Sequence, residues 1–451
     1  MKTRRQTGAR YAFIFCVIFV LSAVTAQAAK DQPEPKTLIT NARIFDGHSE
    51  TLADGVSVLV EGNKIAKIAK SIPAPDGAEV IDAGGRVMTP GFIYAHEHIM
   101  LQASSLELLT QDDRYLAILS GKMAGKYLER GITTIRDAAG NTYGLKQAID
   151  KGLVPGPRIY PAGPMIAQTS GHSDHRLPTT PTTFAGGKLD PMITRGDMIV
   201  ADGVPELLKA TRENLRRGSS QIKIAVGGGT GSISDPLEVV EYTDAEIQAV
   251  VQAATDFGTY VMAHVYNSKG IRRAIDNGVK SIEHGNLMDE GTLKYMKEKD
   301  IWLAPQVTVY TFIPPGFNEG QAAKHRQAFA GIDKMFTTAK KIGFENIVFG
   351  SDIISSPEQI ENLQGEFEKR TKWFTPVEIM RQATSRGGEL LAMSGPMNPY
   401  PGRLGVIEEG AYADLLLIDG NPIEDIMIMT DPRKNFHLIM KDGKIYKNTI
   451  R

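Results

Sequence analysis

Pro90-Gly91-Phe92-Ile93-Tyr94-Ala95-His96-Glu97-His98 decides how the rest of the chain is read. An apolar run ends in two histidines separated by one residue, and in an extended strand residues two apart project from the same side. His96 and His98 therefore leave the end of one strand together, which supplies half of a metal site. Such a pair is common by chance, and its weight here comes from later partners: Lys223, His264, His284 and Asp352.

Working outward, apolar strand-like runs recur at 91–99, 132–136, 158–162, 221–225, 260–265, 281–283, 302–305 and 347–350. Between most of them lie helical patterns such as Pro205–Arg217, Asp244–Phe257 and Ser268–Asn277, each followed at once by glycine. Eight strands with intervening helices predict an α/β fold of the (β/α)₈ TIM-like barrel type. The competing fold is an open doubly wound sheet, but no G-x-G-x-x-G follows the first strand. In a barrel the C-terminal ends of all strands converge on one face. His96 and His98 end the first run, Lys223 lies within the fourth, His264 in the fifth, and His284 and Asp352 follow the sixth and eighth.

Each residue has an ordinary reading when taken singly. An isolated histidine at a strand end is more often a hydrogen-bonded rim residue than a ligand, and Asp352 has the sequence of a helix cap. Lys223 resists dismissal, because a strand reading Ile222-Lys223-Ile224 should not turn an unpaired ammonium toward a core. Together the histidines and the aspartate offer nitrogen and oxygen donors suited to Zn²⁺ or a related divalent ion. An ammonium cannot ligate a cation, but a carbamate formed from the Lys223 amine and CO₂ is a bidentate anion able to bridge two.

The flanks have a different texture. Leu38–Phe45, Val56–Val60 and Ile65–Ile68 at one end, and Asp414–Ile418, Leu438–Met440 and Lys444–Lys447 at the other, are short β-rich runs separated by Gly, Asn and Asp turns. Residues 37–89 and 402–451 are accordingly expected to form one small β-sandwich domain beside a barrel spanning 90–401. At the N-terminus, Lys2, Arg4, Arg5 and Arg10 precede an apolar run from Tyr11 to Val24, and Ala26-Gln27-Ala28 supplies a cleavage site. Residues 1–28 read as a signal peptide, 29–36 as a flexible leader, and the destination as a bacterial periplasm. The alternative, a retained anchor, is short of the roughly 20 apolar residues of a membrane span.

The only cysteine, Cys16, lies in that signal segment, so the mature chain has neither thiolate catalysis nor cysteine-ligated zinc available. A formal net charge of −1 over 451 residues argues against a nucleic-acid surface or a polybasic membrane patch. The expected partner is a small molecule, with no stable membrane span in the mature protein, and a homo-oligomer is expected.

The first motif, together with Gly131-Ile132-Thr133-Thr134-Ile135-Arg136-Asp137, Ile222-Lys223-Ile224, Ser281-Ile282-Glu283-His284-Gly285, Gly350-Ser351-Asp352 and Ala411-Tyr412-Ala413-Asp414-Leu415, resembles the amidohydrolase superfamily. The closest likeness is to its imidazolonepropionase-like and Xaa-Pro dipeptidase-like branch, which includes carboxypeptidase-type and ochratoxin-hydrolysing enzymes. The resemblance implies a binuclear centre of two divalent ions, Zn²⁺ first among them. His96, His98 and Asp352 would hold the more buried ion and His264 and His284 the more exposed one, with carboxylated Lys223 bridging. It further implies attack by metal-bound hydroxide on an amide, with Asp352 as proton shuttle and Lys223 as the second catalytic residue.

Ser170-Gly171-His172-Ser173-Asp174 resembles a substrate loop of that branch, making His172 the candidate contact for a substrate carbonyl or carboxylate. Tyr242 resembles its loop tyrosine and is the second substrate candidate. The implied substrate is a dipeptide or N-acyl amino acid with a free C-terminal carboxylate, ochratoxin A-like amides included. The alternatives are a cyclic amide or lactone hydrolase and, from another class, a non-catalytic metal-binding protein. Tyr94, Glu97 and Ser351 depart from the branch's usual residues, where Asp commonly stands at the first position and Thr at the last.

Overall fold

The computed structural model describes residues 34–450, so the expected signal peptide, Cys16 and most of the leader lie outside the described residues. In chain order the strands are β1 (Lys36–Ile44), β2 (Ala53–Glu61), β3 (Lys64–Ala69), β4 (Glu79–Asp82), β5 (Val87–Pro90), β6 (Phe92–Glu97), β7 (Ile132–Asp137), β8 (Arg158–Pro161) and β9 (Met165–Ala167). There follow β10 (Met198–Val200), β11 (Ile222–Ala225), β12 (Val261–Asn267), β13 (Ser281–Leu287), β14 (Trp302–Ala304), β15 (Leu415–Ile418), β16 (Phe436–Lys441) and β17 (Lys444–Asn448). Lys36, counted in the leader from sequence, already belongs to β1.

Both ends of the chain enter one mixed sheet, ordered β17-β16-β15-β5-β1-β2-β3, with β4 added beside β1. The join is antiparallel: Leu415 faces Pro90 and Ile418 faces Val87. Asp442 and Gly443 close the β16–β17 hairpin with φ of 56° and 71°, a tight turn whose twist matches the flanking strands. Alternation assigns the two faces. Val58, Val60, Leu415, Leu417, Leu438 and Met440 fill the sheet's own core, whereas Leu416, Ile418, Phe436 and Ile439 join the large core that holds the middle of the chain. This explains why β15 reads Leu-Leu-Leu-Ile with no polar face. Arg158 of β8 fastens the same boundary: buried, it donates to Asp414 and Asp442 and lies 4.1 Å from the centroid of the Tyr412 ring.

The middle of the chain is a TIM-barrel-like α/β arrangement of parallel strands and helices. One sheet is ordered β6-β7-β8 and the other β10-β9-β11-β12-β13-β14, every pair parallel. The expected helices stand at Gly203–Arg216, Asp244–Asp256 and Ser268–Asp276. The glycines after them, Gly218, Gly258 and Gly278, have positive φ as helix stops require. The short strands β9 and β10 add to the eight expected runs.

The eighth run differs more. Instead of a regular strand, 347–350 forms a single bridge, Ile347 with Leu303. Its remaining hydrogen bonds reach both neighbours: Val348 N–H donates to Leu303 O at 3.0 Å, and Ala95 N–H donates to Phe349 O at 2.6 Å. Arg370, fully buried and paired with Glu366, donates to Val348 O and Pro305 O, supplying by side chain what a longer ladder would supply by backbone. Among the described residues no helix is long and apolar enough to cross a membrane.

Candidate metal centre

The end of β6, β12, β13 and the segment after Gly350 bring the histidines and Asp352 together. His96 Nε2 lies 3.5 Å and His98 Nε2 3.2 Å from the same oxygen, Asp352 Oδ1. His96, His284 and Asp352 offer ligand atoms within 4.8 Å of one another. His264 completes the group, its ring centroid 4.5 Å from that of His284.

The far side of each ring decides what the near side can do. His96 Nδ1 donates to Glu283 at 2.6 Å, and His98 Nδ1 donates to the Ala139 carbonyl at 3.2 Å. With those protons placed, both Nε2 atoms carry bare lone pairs, aimed at a carboxylate oxygen that is itself an acceptor. His96 Nε2 is buried and has no hydrogen-bond partner. His284 Nδ1 likewise donates to Gln306 Oε1 at 2.8 Å. Lone pairs converging on a carboxylate form a group that could hold a cation, and the nitrogen and oxygen donors fit a zinc-like divalent ion. Glu283 accepts from His96, from Ser281 and from both Arg136 Nη2 contacts at 2.9 and 2.8 Å. A histidine ligand oriented by a carboxylate is the usual support of a metal site.

Charge follows the same logic. Burial pushes the Asp352 carboxyl up, but the neighbouring His96, His98 and His284 outweigh it and hold it below the usual carboxylate range. Glu283 is also held low, Arg136 overcoming its burial. Burial pushes the Lys223 ammonium down to about 8, with Glu283 and Asp352 pulling the other way. Lys223 is 1% exposed, between Ile222 and Ile224 of the large hydrophobic core. Two ligand candidates adopt left-handed backbone, His284 at φ 72° and Asp352 at φ 54°, a cost that recurs where function fixes geometry. At His284 it also breaks strand alternation, so the consecutive Glu283 and His284 both reach His96.

His172 lies against this group. Its ring stacks on His264 at 4.0 Å and 13°, and its Nδ1 is 3.0 Å from Ser232 Oγ. The glycine run beneath has a spatial reason: a Cβ on Gly229 would fall 2.0 Å from the His172 ring. Gly228, whose own Cβ would meet the Pro236 carbonyl at 2.1 Å, brings its carbonyl within 3.3 Å of His264 Nε2.

Tyr242 is placed differently. Its hydroxyl donates to the Ala201 carbonyl at 3.0 Å and its ring packs in the large hydrophobic core, at the entry to the Asp244–Asp256 helix. The structure thus places the tyrosine expected as a substrate contact in a packed position, with its hydroxyl proton already engaged.

Sequence reasoning passed over Glu283, Gln306, Tyr266 and Tyr310. Tyr266 stacks on His284 with ring centroids 5.0 Å apart, and Tyr310 OH lies 3.2 Å from His284 Nδ1. Glu283 carried a signal, a charge inside an apolar strand run like Lys223, whereas Gln306 and the tyrosines had none. Glu283→Gln is expected to weaken zinc retention by about 10–100-fold in competition with a chelator. Unchanged retention would show that His96 does not depend on that carboxylate.

A family model described as "Amidohydrolase family" matches residues 87–446. Ochratoxinase of Aspergillus niger is 32% identical over 328 residues, 71% of this chain, and the chain spans 66% of that relative's length. A prolidase crystallised with N-methylphosphonate-L-proline is similar at 33% identity and TM-score 0.84, over 92% of this chain and 100% of that one. An Xaa-Pro dipeptidase with bound methionine is similar at 31% identity and TM-score 0.80, over the same shares.

Proposed function

The chain belongs to the amidohydrolase family, and from that premise we propose that it is a metal-dependent hydrolase of amide bonds in small substrates. The substrates are dipeptides or N-acyl amino acids with a free C-terminal carboxylate, ochratoxin-like amides among them. One observation carries the reading: the bare Nε2 atoms of His96 and His98 converge on a single oxygen of Asp352. The relatives' printed names, a prolidase, an Xaa-Pro dipeptidase and an ochratoxinase, support amide substrates ending in an amino acid.

In this reading His96, His98 and Asp352 would hold one divalent ion, zinc by donor type, and His264 and His284 a second, with a carbamate on Lys223 as the ligand they would share. When bound, such ions polarise a carbonyl and lower the pKa of water from about 15.7 toward about 7. Burial favours the neutral Lys223 amine that a carbamate requires. Asp352, anionic and at the convergence point, accepts the proton of the attacking water and returns it to the leaving nitrogen. His172, held by Ser232 and stacked on His264, orients the substrate carbonyl or carboxylate. Closure of the strands into an eight-membered barrel, a sandwich built by the termini, and export to the periplasm belong to the same reading.

The test is hydrolysis by the zinc-loaded protein across Xaa-Pro and other dipeptides, N-acyl amino acids and an ochratoxin-like amide, beside lactones and hydantoins. Turnover of free-carboxylate amides, lost when that carboxylate is esterified, is the expected result. Preference for lactones or hydantoins would move the substrate to the cyclic class. Zinc binding with no turnover of any compound would leave a non-catalytic binding protein.

A further inference from the structure

Glu97 stands between His96 and His98, and strand alternation sends its side chain to the opposite side of β6. There it is fully buried and accepts three hydrogen bonds: from Tyr127 OH at 2.7 Å, Ser351 Oγ at 2.8 Å and Ser351 N–H at 2.7 Å. No cation is among these partners. A buried carboxylate is costly unless its hydrogen bonds are satisfied, and these donors come from the long helix Asp113–Glu129 and from the residue immediately before Asp352. Two positions that depart from the amidohydrolase pattern, Glu97 and Ser351, are therefore bonded to one another.

The residue after Asp352 is tied as well. Gln102 Nε2 donates to the Ile353 carbonyl at 2.6 Å and to the His98 carbonyl at 3.0 Å. Asp352 is thus bracketed, Ser351 being fastened to the last residue of β6 and Ile353 to the stretch that follows it. Its own N–H donates to His96 O at 3.2 Å. The bracket matters because the eighth run makes only the single bridge at Ile347, five residues before Asp352. A non-glycine residue at φ 54° without ladder support relaxes unless its neighbours are fixed.

We propose that Glu97 is a positioning residue that, through Ser351 and together with Gln102, holds the left-handed turn placing the Asp352 carboxylate against His96 and His98. It touches neither substrate nor metal in this role. The inference depends on the hydrolase reading only for its kinetic arm.

The experiment compares Glu97→Ala, Glu97→Gln, Ser351→Ala and the Glu97→Ala/Ser351→Ala double variant of the full chain. Displacing a reacting group by about 1 Å costs about 100-fold, so Glu97→Ala and Ser351→Ala should each lower kcat by about that factor with KM little changed. The glutamine oxygen still accepts both Ser351 donors, so Glu97→Gln should retain kcat within about fivefold of the parent. The double variant should be no worse than the worse single, because the two act as a unit. Crystal structures of the zinc-loaded alanine variants should show Asp352 moved off His98, and chelator competition should show weaker zinc binding than in Glu97→Gln.

Equal losses in Glu97→Gln and Glu97→Ala would overturn the proposal in favour of a charge effect. An unmoved Asp352 in the alanine variants would overturn it outright. If Glu97→Ala does not fold, Ser351→Ala decides alone. If the parent turns over no amide, the hydrolase reading fails, and the position of Asp352 and the zinc competition still decide this inference.

Discussion

Asp352→Asn is expected to lower kcat on the best dipeptide or N-acyl amino acid substrate by about 10³-fold or more, at the upper end of what a positioned proton carrier contributes. The asparagine keeps the size and one neutral donor oxygen, so a substantial part of the bound zinc should remain. What it loses is an anion held below the usual carboxylate range by His96 and His98, hence the group able to take a proton at neutral pH. Stopped turnover with retained metal, measured by steady-state kinetics beside elemental analysis, separates this role from simple ligation. A variant with kcat within tenfold of the parent would remove Asp352 from the proton pathway.

Lys223→Ala carries the second large effect. Loss of the only ligand proposed to bridge should cost several kcal/mol of transition-state stabilisation, about 10³-fold in kcat, together with weaker retention of the more exposed ion. Lys223→Arg serves as the control, since a guanidinium stays protonated and cannot form a carbamate. The alanine variant leaves a buried cavity of lysine-stem size, so acetate or propionate can enter as a replacement carboxylate and restore part of the activity. The arginine variant has no such space and should not respond. Equal activity in Lys223→Arg and the parent would count against the carbamate, as would an unmodified Lys223 mass in active protein.

Much of the centre was legible because the ligand candidates stand in runs whose period is visible in one dimension. His96 and His98 share a strand face by alternation, and Lys223 stands out as a charge between two isoleucines. Glu283 was equally visible in kind, yet its role was not, because what it orients is His96, 187 residues away in sequence. Gln306 and Tyr310 follow β14, and nothing in the residues around them marks them as partners of His284. Tyr242 shows the converse. Its motif context points to the substrate, and only the structure shows that its hydroxyl proton goes to the Ala201 carbonyl.

The sequence alone determined the α/β alternation, the identity of the converging strand ends and the donor chemistry, because these depend on side-chain type and on periods of two and 3.6 residues. Only the tertiary structure decided how the donors meet. The eighth run forms no regular strand, His284 and Asp352 take left-handed backbone, and Glu97 with Gln102 braces the turn that carries Asp352. The brace at Asp352 rests on hydrogen bonds between residues 254 and 251 positions apart, and a local pattern holds no information about a partner it does not contain.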